Sequence, residues 1–205
     1  MQNDVLTGSA NVGDGVLQTA RGGRTGEQMV SQLQGRYYEL AYRGNLFMAH
    51  AIVTAPVIYT TAAGTGGPLI WNNSTDTNVV LLAVGFGTSV VTTVAASIGI
   101  TGNTGQSAAP TSTTAIDSNR NLKIGGALPK STAYRIGTTS SAGNFFLPFA
   151  QVHTGALTAD TTGVQWIDLG GCVVVPPNAW ASVAASATAT TLVAQIGFVY
   201  TEVPV

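Results

Sequence analysis

The sequence predicts an all-β protein, a jelly-roll-like sandwich with an extended N-terminal arm. Short runs rich in Val, Thr, Ile and aromatic residues recur along the chain, and turn residues separate them at regular intervals. No segment has a convincing helical period. At 205 residues, of which 45% are apolar, the chain is long enough to enclose one substantial core.

The first 34 residues differ in composition from the rest of the chain. They are rich in Gly, Gln, Asn and Thr and hold only scattered apolar residues, too few to bury a core of their own. We expect residues 1–34 to form an arm that becomes ordered by docking on a neighbouring subunit, and residues 35–205 to form the β domain. The start of the chain has neither the basic residues nor the apolar run of a secretory signal.

Strand signals begin at residue 46 and continue to the end of the chain. Residues 101–118 interrupt them, because this polar stretch is punctuated by Gly and Pro and predicts a long loop. Pro148 lies inside one run and favours an edge strand or a bulge, since proline cannot donate to a sheet. The predicted strands lie in LFMAHAIVTA (46–55), PVIYTTA (56–62), GGPLIWNNS (66–74), VVLLAVGFGTSV (79–90), VTTVAASIGI (91–100), NLKIGGALP, TAYRIGTT, NFFLPFAQVHTG (144–155), VQWIDLGG (164–171), CVVVPPNAWASVAAS (172–186, two strands around a turn) and TLVAQIGFVYTEVPV (191–205).

Residues 78–100 form one uncharged stretch that is long enough to span a bilayer as a helix. However, Thr and Ser recur through its second half, and no Lys or Arg lies near either end to anchor it. Val, Thr and Ile dominate the stretch, and these residues suit a pleated sheet. Two consecutive buried strands therefore explain it better than a membrane helix.

Charged residues make up only 8% of the chain, against about 25% in ordinary soluble domains. A monomer of this size uses charge to stay soluble and separate, so we expect other subunits to cover much of this surface. A secreted β protein with a Thr- and Ser-rich surface is the alternative. The net charge of −1 gives no general attraction to nucleic acid.

The segment GRYYELAYRGNLF, residues 35–47, is unusually rich in aromatic and charged side chains. Tyr and Arg are among the residue types most enriched at interface hot spots, so the segment is predicted to be a contact surface. If it is a strand, alternate side chains fall on two faces, and an ordinary first strand of the sandwich is the competing interpretation. The predicted interface residues are Arg36, Tyr37, Tyr38, Glu39, Tyr42 and Arg43.

Two further stretches carry a family resemblance: PLIWNNSTDTNVVLLAVGFG, and IDLGGCVVVPPNAWASVAASATATTLVAQIGFVYTEVP near the end. The second contains a strand, a turn built on prolines, a strand of small residues and a last strand that ends in Glu-Val-Pro. Together with residues 35–47, they make the chain resemble jelly-roll decoration (cement) proteins of tailed bacteriophage capsids. The resemblance implies a structural virion protein on the capsid surface. It also implies a homo-oligomer, a trimer, that binds the major capsid protein between capsomers and needs no cofactor.

Three other functions stay open at this point. A head-fibre or tail adhesin that binds host glycans would carry exposed aromatic residues on its loops, whereas the loops here are mostly Thr, Ser, Gly and Ala. A jelly-roll major capsid subunit would carry a basic internal arm, for which Arg21 and Arg24 are thin support. An enzyme is the third class.

Candidate catalytic residues are few and scattered. His50 and His153 lie inside predicted strands and are interpreted as packed or surface imidazoles. The sequence holds no Gly-x-Ser-x-Gly elbow, no phosphate loop and no spaced Asp/Asn series for calcium. We therefore expect no catalysis and no metal site. No close pair of carboxylates suggests a glycosidase, because the candidate acidic residues lie far apart in sequence. They are Asp76, Asp117, Asp160 and Asp168.

Two local features are interpreted structurally. Cys172 is the only cysteine, which excludes an internal disulfide, and its position before three valines predicts a buried core thiol. Asn72 and Asn73 each begin an Asn-x-Ser/Thr sequon, but NNSTDTN (72–78) is predicted to be an exposed turn rather than a glycosylation site.

Overall fold

The computed structural model describes residues 37–54, 58, 68–90, 94–106, 108–116, 118–152, 164–187 and 192–205. Apart from Tyr37 and Tyr38, these residues belong to one compact unit, Glu39–Val205. Several predictions fall outside this part of the chain: the arm (1–34), the strand PVIYTTA except Ile58, and the residues Asp117, His153 and Asp160.

Eleven strands and one short helix form the described part of the chain. The elements are α1 (Tyr38–Tyr42), β1 (Leu46–Thr54), β2 (Leu69–Trp71), β3 (Thr77–Val90), β4 (Ala96–Asn103), β5 (Thr111–Ala115), β6 (Ser118–Asn121), β7 (Thr132–Thr138), β8 (Phe145–Val152), β9 (Gln165–Val175), β10 (Trp180–Ala185) and β11 (Val193–Pro204).

The strands form two antiparallel sheets. One sheet has five strands in the order β6-β1-β11-β3-β9, and the other has six in the order β5-β7-β2-β10-β4-β8. Eight of these strands follow the jelly-roll order, β1-β11-β3-β9 in one sheet and β2-β10-β4-β8 in the other. The chain alternates between the sheets from β1 to β4, places β8 beside β4, and alternates again through β9, β10 and β11. The predicted jelly-roll-like sandwich is therefore confirmed.

The three remaining strands are an insertion between β4 and β8. They extend both sheets at the edge formed by β1 and β2: β6 pairs with β1, while β7 pairs with β2 and β5 with β7. The long connection at residues 104–144 thus runs from β4, near one edge of the sandwich, to the opposite edge, where it adds strands beside β1 and β2. This insertion is what places the candidate interface.

The core lies between the sheets and follows the alternation of the strands. In β11, Ala194, Ile196, Phe198 and Tyr200 are fully buried, while Gln195, between the first two, is exposed on the outer face. Inward side chains of β1, β3, β4 and β10 join the same cluster. Burial of these side chains removes apolar surface from water and is the main force holding the sheets together.

Several predicted elements are confirmed and several are corrected. Residues 78–100 hold two strands, β3 and β4, as predicted, and no helix in the described ranges is long and apolar enough to cross a membrane. The long loop predicted at 101–118 is wrong in part, because β4 continues to Asn103 and the Thr-rich residues of β5 pair with β7. The strand predicted in NLKIGGALP is wrong beyond Asn121, where Gly125 takes a positive φ of 79° and turns the chain.

The proline features behave as predicted. β8 is the outermost strand of the described six-stranded sheet, and Pro148 lies opposite Gly99 next to an irregularity in the register with β4. Pro176 and Pro177 begin the turn between β9 and β10, which Asn178 completes with a φ of 60°. Asn tolerates this left-handed conformation better than most residues with a side chain.

β9 corrects two predictions at once. The two predicted strands in VQWIDLGG and CVVV are one strand, β9. A bulge divides it where Gly170 and Gly171 take positive φ values of 59° and 78°. Beyond the bulge, Val173 and Val175 point into the core. Because side chains alternate, Cys172 points outward and is exposed, so the predicted core thiol is wrong.

The turn NNSTDTN is only partly exposed, which corrects the prediction for Asn72. This side chain is fully buried, and its Nδ2 donates to the carbonyl oxygens of Thr77 and Val175 at 2.7 and 2.9 Å. Its Oδ1 accepts a bond from the backbone N–H of Ser74. Asn72 therefore joins the end of β2 to β3 and β9 and is a structural residue, whereas Asn73 is exposed.

Candidate interface

Within the segment predicted to be an interface, Tyr38–Tyr42 form a short helix instead of a strand. α1 ends in a Schellman motif: the N–H of Gly44 donates to the carbonyl of Ala41 at 3.0 Å, and the N–H of Asn45 donates to that of Leu40 at 2.8 Å. Gly44 supplies the positive φ of 75° that this cap requires. The alternation of faces expected for a strand is therefore wrong, and the cap turns the chain directly into β1.

A second segment, the loop at residues 122–129, lies next to this cap. Asn121, at the end of β6, holds the loop in place: its Nδ2 donates to the carbonyls of Gly44 and Ala127 at 2.6 and 3.0 Å. Its Oδ1 accepts the backbone N–H of Lys123 at 2.8 Å. One carboxamide thus ties the loop both to itself and to the helix cap.

The pairing of β1 with β6 explains why these two segments meet. The strands are antiparallel, with Phe47 opposite Asn121, and the N–H of Leu122 donates to the carbonyl of Leu46 at 2.8 Å. The residues before β1 must then run beside the residues after β6. As a result, the ammonium group of Lys123 lies 5.5 Å from the centre of the Tyr42 ring, a cation–π distance.

Apolar side chains project from both segments. Ile124 is fully exposed, and Leu128, Tyr42 and Leu122 are 65%, 60% and 41% exposed. We call these four residues the corner patch. Full exposure of an apolar side chain such as Ile124 to water does not stabilise the fold. Exposed apolar residues that lie together on a protein surface mark interaction sites.

Further contacts fix the other end of the loop. The carboxylate of Glu202 on β11 accepts the backbone N–H groups of Lys130 and Ser131 at 3.0 and 2.8 Å. The ammonium of Lys130 lies 2.8 Å from the carboxylate of Asp76, and this hydrogen bond is the first cause that lowers the pKa of Asp76. The loop residues of the corner patch are therefore held in place before any partner arrives, which reduces the entropic cost of binding.

The structure places the predicted interface residues as follows. Tyr42 and Arg43 are exposed at the helix cap, Tyr38 is exposed within α1 and Tyr37 is half-buried. Arg36 lies outside the described residues, and the side chain of Glu39 is not described either. Their role as an interface stays a prediction.

The loop half of the corner patch was not predicted. NLKIGGALP is predicted to be a strand, although Gly125 and Gly126 followed by Pro129 form a turn signal. The apolar residues beside such a signal, Ile124 and Leu128, were the available evidence for an exposed hydrophobic loop. What the sequence did not show is that β6 brings this loop to the helix cap.

No group of three or more His, Cys, Asp or Glu side chains in the described ranges is arranged to hold a metal ion. Comparison with known proteins finds no similar family model, no similar curated protein and no similar solved structure. The candidate interface is therefore judged on its own geometry.

Proposed function

We propose that this chain is a structural virion protein that decorates and stabilises a bacteriophage capsid by binding between capsomers. It works as a homo-oligomer, a trimer, and it has no catalytic role. Its partners are other copies of itself and the major capsid protein, and its place is the outer capsid surface.

Two properties of the whole chain support this proposal. The jelly-roll order of the strands matches the fold implied by the family resemblance, although a fold by itself does not assign a function. Only 8% of the residues are charged, so little electrostatic repulsion keeps copies of the chain apart. Both properties suit a subunit whose surface is covered in an assembly.

The corner patch is the observation that carries the proposal. Three of its four exposed apolar side chains project from a loop fixed at one end by Asn121 and at the other by Glu202, and the fourth, Tyr42, lies in the adjoining helix. A rigid apolar projection binds a complementary hollow with little loss of chain entropy, and symmetry repeats the contact in every subunit. Many modest contacts of this kind hold a decoration protein on a shell.

Binding to expanded heads of the phage that encodes the chain tests the proposal. We expect the wild-type protein to pellet with the heads, and the double variant Ile124→Ser/Leu128→Ser to bind about tenfold more weakly or worse, because it loses the apolar contact area. Val203→Ser is the matched control, since Val203 is an exposed apolar residue near the chain end, outside the corner patch. Equal binding of the double variant and the wild-type protein would rule out the corner patch, and no binding of any form would rule out the function.

A further inference from the structure

A tryptophan lies flat on the outer face of the five-stranded sheet, far along that sheet from β6. A Cβ atom added to Gly85 would lie 3.1 Å from each of three atoms of the six-membered ring of Trp166, namely Cε3, Cζ2 and Cη2. Cε3 and Cζ2 are opposite corners of that ring, so the three equal distances place this position on the axis of the ring. One face of the indole therefore covers Gly85.

The same ring reaches across β3 to the next strand. A Cβ atom on Gly197 would lie 3.3 Å from Cη2 of Trp166 and 3.8 Å from Cδ2 of His50. Glycine at both positions is what lets the indole rest on the sheet. Trp166 is nonetheless 53% exposed, so the ring face turned away from the sheet is open.

Polar side chains share this outer face with the open ring. The register of the sheet aligns His50, Gly197, Gly85 and Trp166 in one row across four strands. Asp168 lies two residues beyond Trp166 on the outward side of β9. In the neighbouring row, Gln195 on β11 is exposed. The row from β9 to β1 covers three inter-strand spacings, about 14 Å in all.

We propose that this face is a binding site for a neutral, β-linked oligosaccharide, with Trp166 as the stacking platform. The axial C–H bonds of a pyranose give the sugar an apolar side, which is attracted to the negative face of an aromatic ring. The imidazole, amide and carboxylate of the surrounding residues offer donors and acceptors to the ring hydroxyls. The site goes beyond the proposed function, since decoration of a capsid does not require it.

Charge and shape favour an oligosaccharide of this kind. The row of residues next to that of Trp166 runs across all five strands, from Asp168 on β9 to Arg120 on β6. The residues between these two ends carry no charge. An acidic sugar would find no counter-ion at the platform, because the nearest charge in these rows is the carboxylate of Asp168 and the cation of Arg120 lies four strands away. Next to the covered Gly85, the following outward position of β3 is Gly87, which has no side chain to obstruct a ligand. The face beside the indole therefore suits a flat, extended glycan such as a β-1,4-linked chain.

Titration with cellohexaose, followed by calorimetry and by tryptophan fluorescence, tests the inference. We expect a dissociation constant in the millimolar range for the wild-type protein, as for other shallow sites. Trp166→Ala should weaken binding about tenfold or more. Gly85→Ala should do the same with the tryptophan still present, because its Cβ would occupy the position under the ring. Val174→Ala is the control, since Val174 is an equally exposed apolar residue further along β9.

Three outcomes would overturn the inference. The first is no binding of cellohexaose at millimolar concentration, and the second is binding by Trp166→Ala as tight as that of the wild-type protein. The third is loss of self-association in Trp166→Ala without any glycan binding, which would assign the face to a subunit contact. Circular dichroism and thermal unfolding confirm that each variant is folded, and Trp166→Phe, which keeps an aromatic ring, should retain part of the affinity. Binding of the Trp166→Ala variant to phage heads should be unchanged, so this test and that of the proposed function are separate.

Discussion

At the residue scale, the buried side chain of Asn72 supplies hydrogen bonds to backbone carbonyls that have no partner in the sheets. Its side chain bonds the carbonyls of Thr77 and Val175, and its backbone N–H and carbonyl bond Ala179 and Asn178 at 2.9 Å each. These contacts join β2, β3, β9 and the turn before β10. A buried carbonyl without a donor is costly, so Asn72 supplies the hydrogen bonds that the strand ends lack.

Replacement of Asn72 by alanine should lower the free energy of unfolding by about 3 kcal/mol, since two buried carbonyls lose their donor. Urea denaturation measures the change. Asn73→Ala is the matched control, because Asn73 is exposed and its loss should change stability by less than about 0.5 kcal/mol. Similar effects of the two substitutions would contradict the role given to Asn72.

Tyr200 is a second buried polar residue with a defined task. Its hydroxyl donates to Oδ1 of Asn119 at 2.9 Å and accepts from the hydroxyl of Ser131, and its ring packs 5.5 Å from that of Phe47. Burial raises the pKa of Tyr200 well above the ordinary value for tyrosine. The neutral side chain therefore links the insertion to the core of the sandwich.

The raised pKa of Tyr200 predicts alkaline destabilisation. The unfolded chain ionises this tyrosine above about pH 10, whereas the folded chain keeps the proton. The stabilisation is thus complete below pH 10 and is lost as the pH rises further, by about 1.4 kcal/mol per pH unit for one such residue. Urea denaturation at a series of alkaline pH values measures the slope, and Tyr200→Phe should reduce it. An unchanged slope in that variant would show that other groups are responsible.

At the element scale, the side chain of Asn121 anchors the loop at 122–129 at its start, and Glu202 holds the residues that follow it. Asn121→Ala removes three hydrogen bonds, so the loop should open more often. We expect trypsin to cleave after Lys123 about tenfold faster in this variant, which corresponds to a loss of about 1.4 kcal/mol of local stability. Mass spectrometry of the fragments locates the cut.

Asn45→Ala is the control for that experiment. Asn45 is an exposed asparagine in the adjoining helix cap, and its bond to Leu40 comes from the backbone and survives the substitution. The cleavage rate of this control should match that of the wild-type protein. If Asn121→Ala is cut no faster than the control, the loop does not depend on the carboxamide.

The strands were the most predictable elements, because alternation and β-branched residues are local signals. The edge position of β8 also followed from one residue, Pro148. The helix cap at Gly44 and the turn at Gly125 have local glycine signals that were misinterpreted. What depends on a contact distant in sequence is that the two segments meet, because the pairing of β1 with β6 brings them together and neither segment shows that pairing by itself.

At the scale of the whole molecule, the class of fold, a sandwich or jelly roll, was predictable from the number of strands and the regular turn signals, whereas the order of the strands was not. The insertion was not, because residues 104–144 carry short, weak strand signals and reach their partners on the far edge of the sandwich. The candidate interface was half predictable. Tyr42 and Arg43 were named from composition, whereas Ile124 and Leu128 lie on a loop that only the fold brings beside the helix cap, through Asn121 and Lys123.

The central claim of this account is that the chain works as an assembled subunit. Sedimentation equilibrium of the full-length protein at micromolar concentration tests it most directly. A trimer would give a mass of about 63 kDa, three times the 20.9 kDa of one chain, and this is the result we expect. A single species of 20.9 kDa at every concentration would contradict the claim.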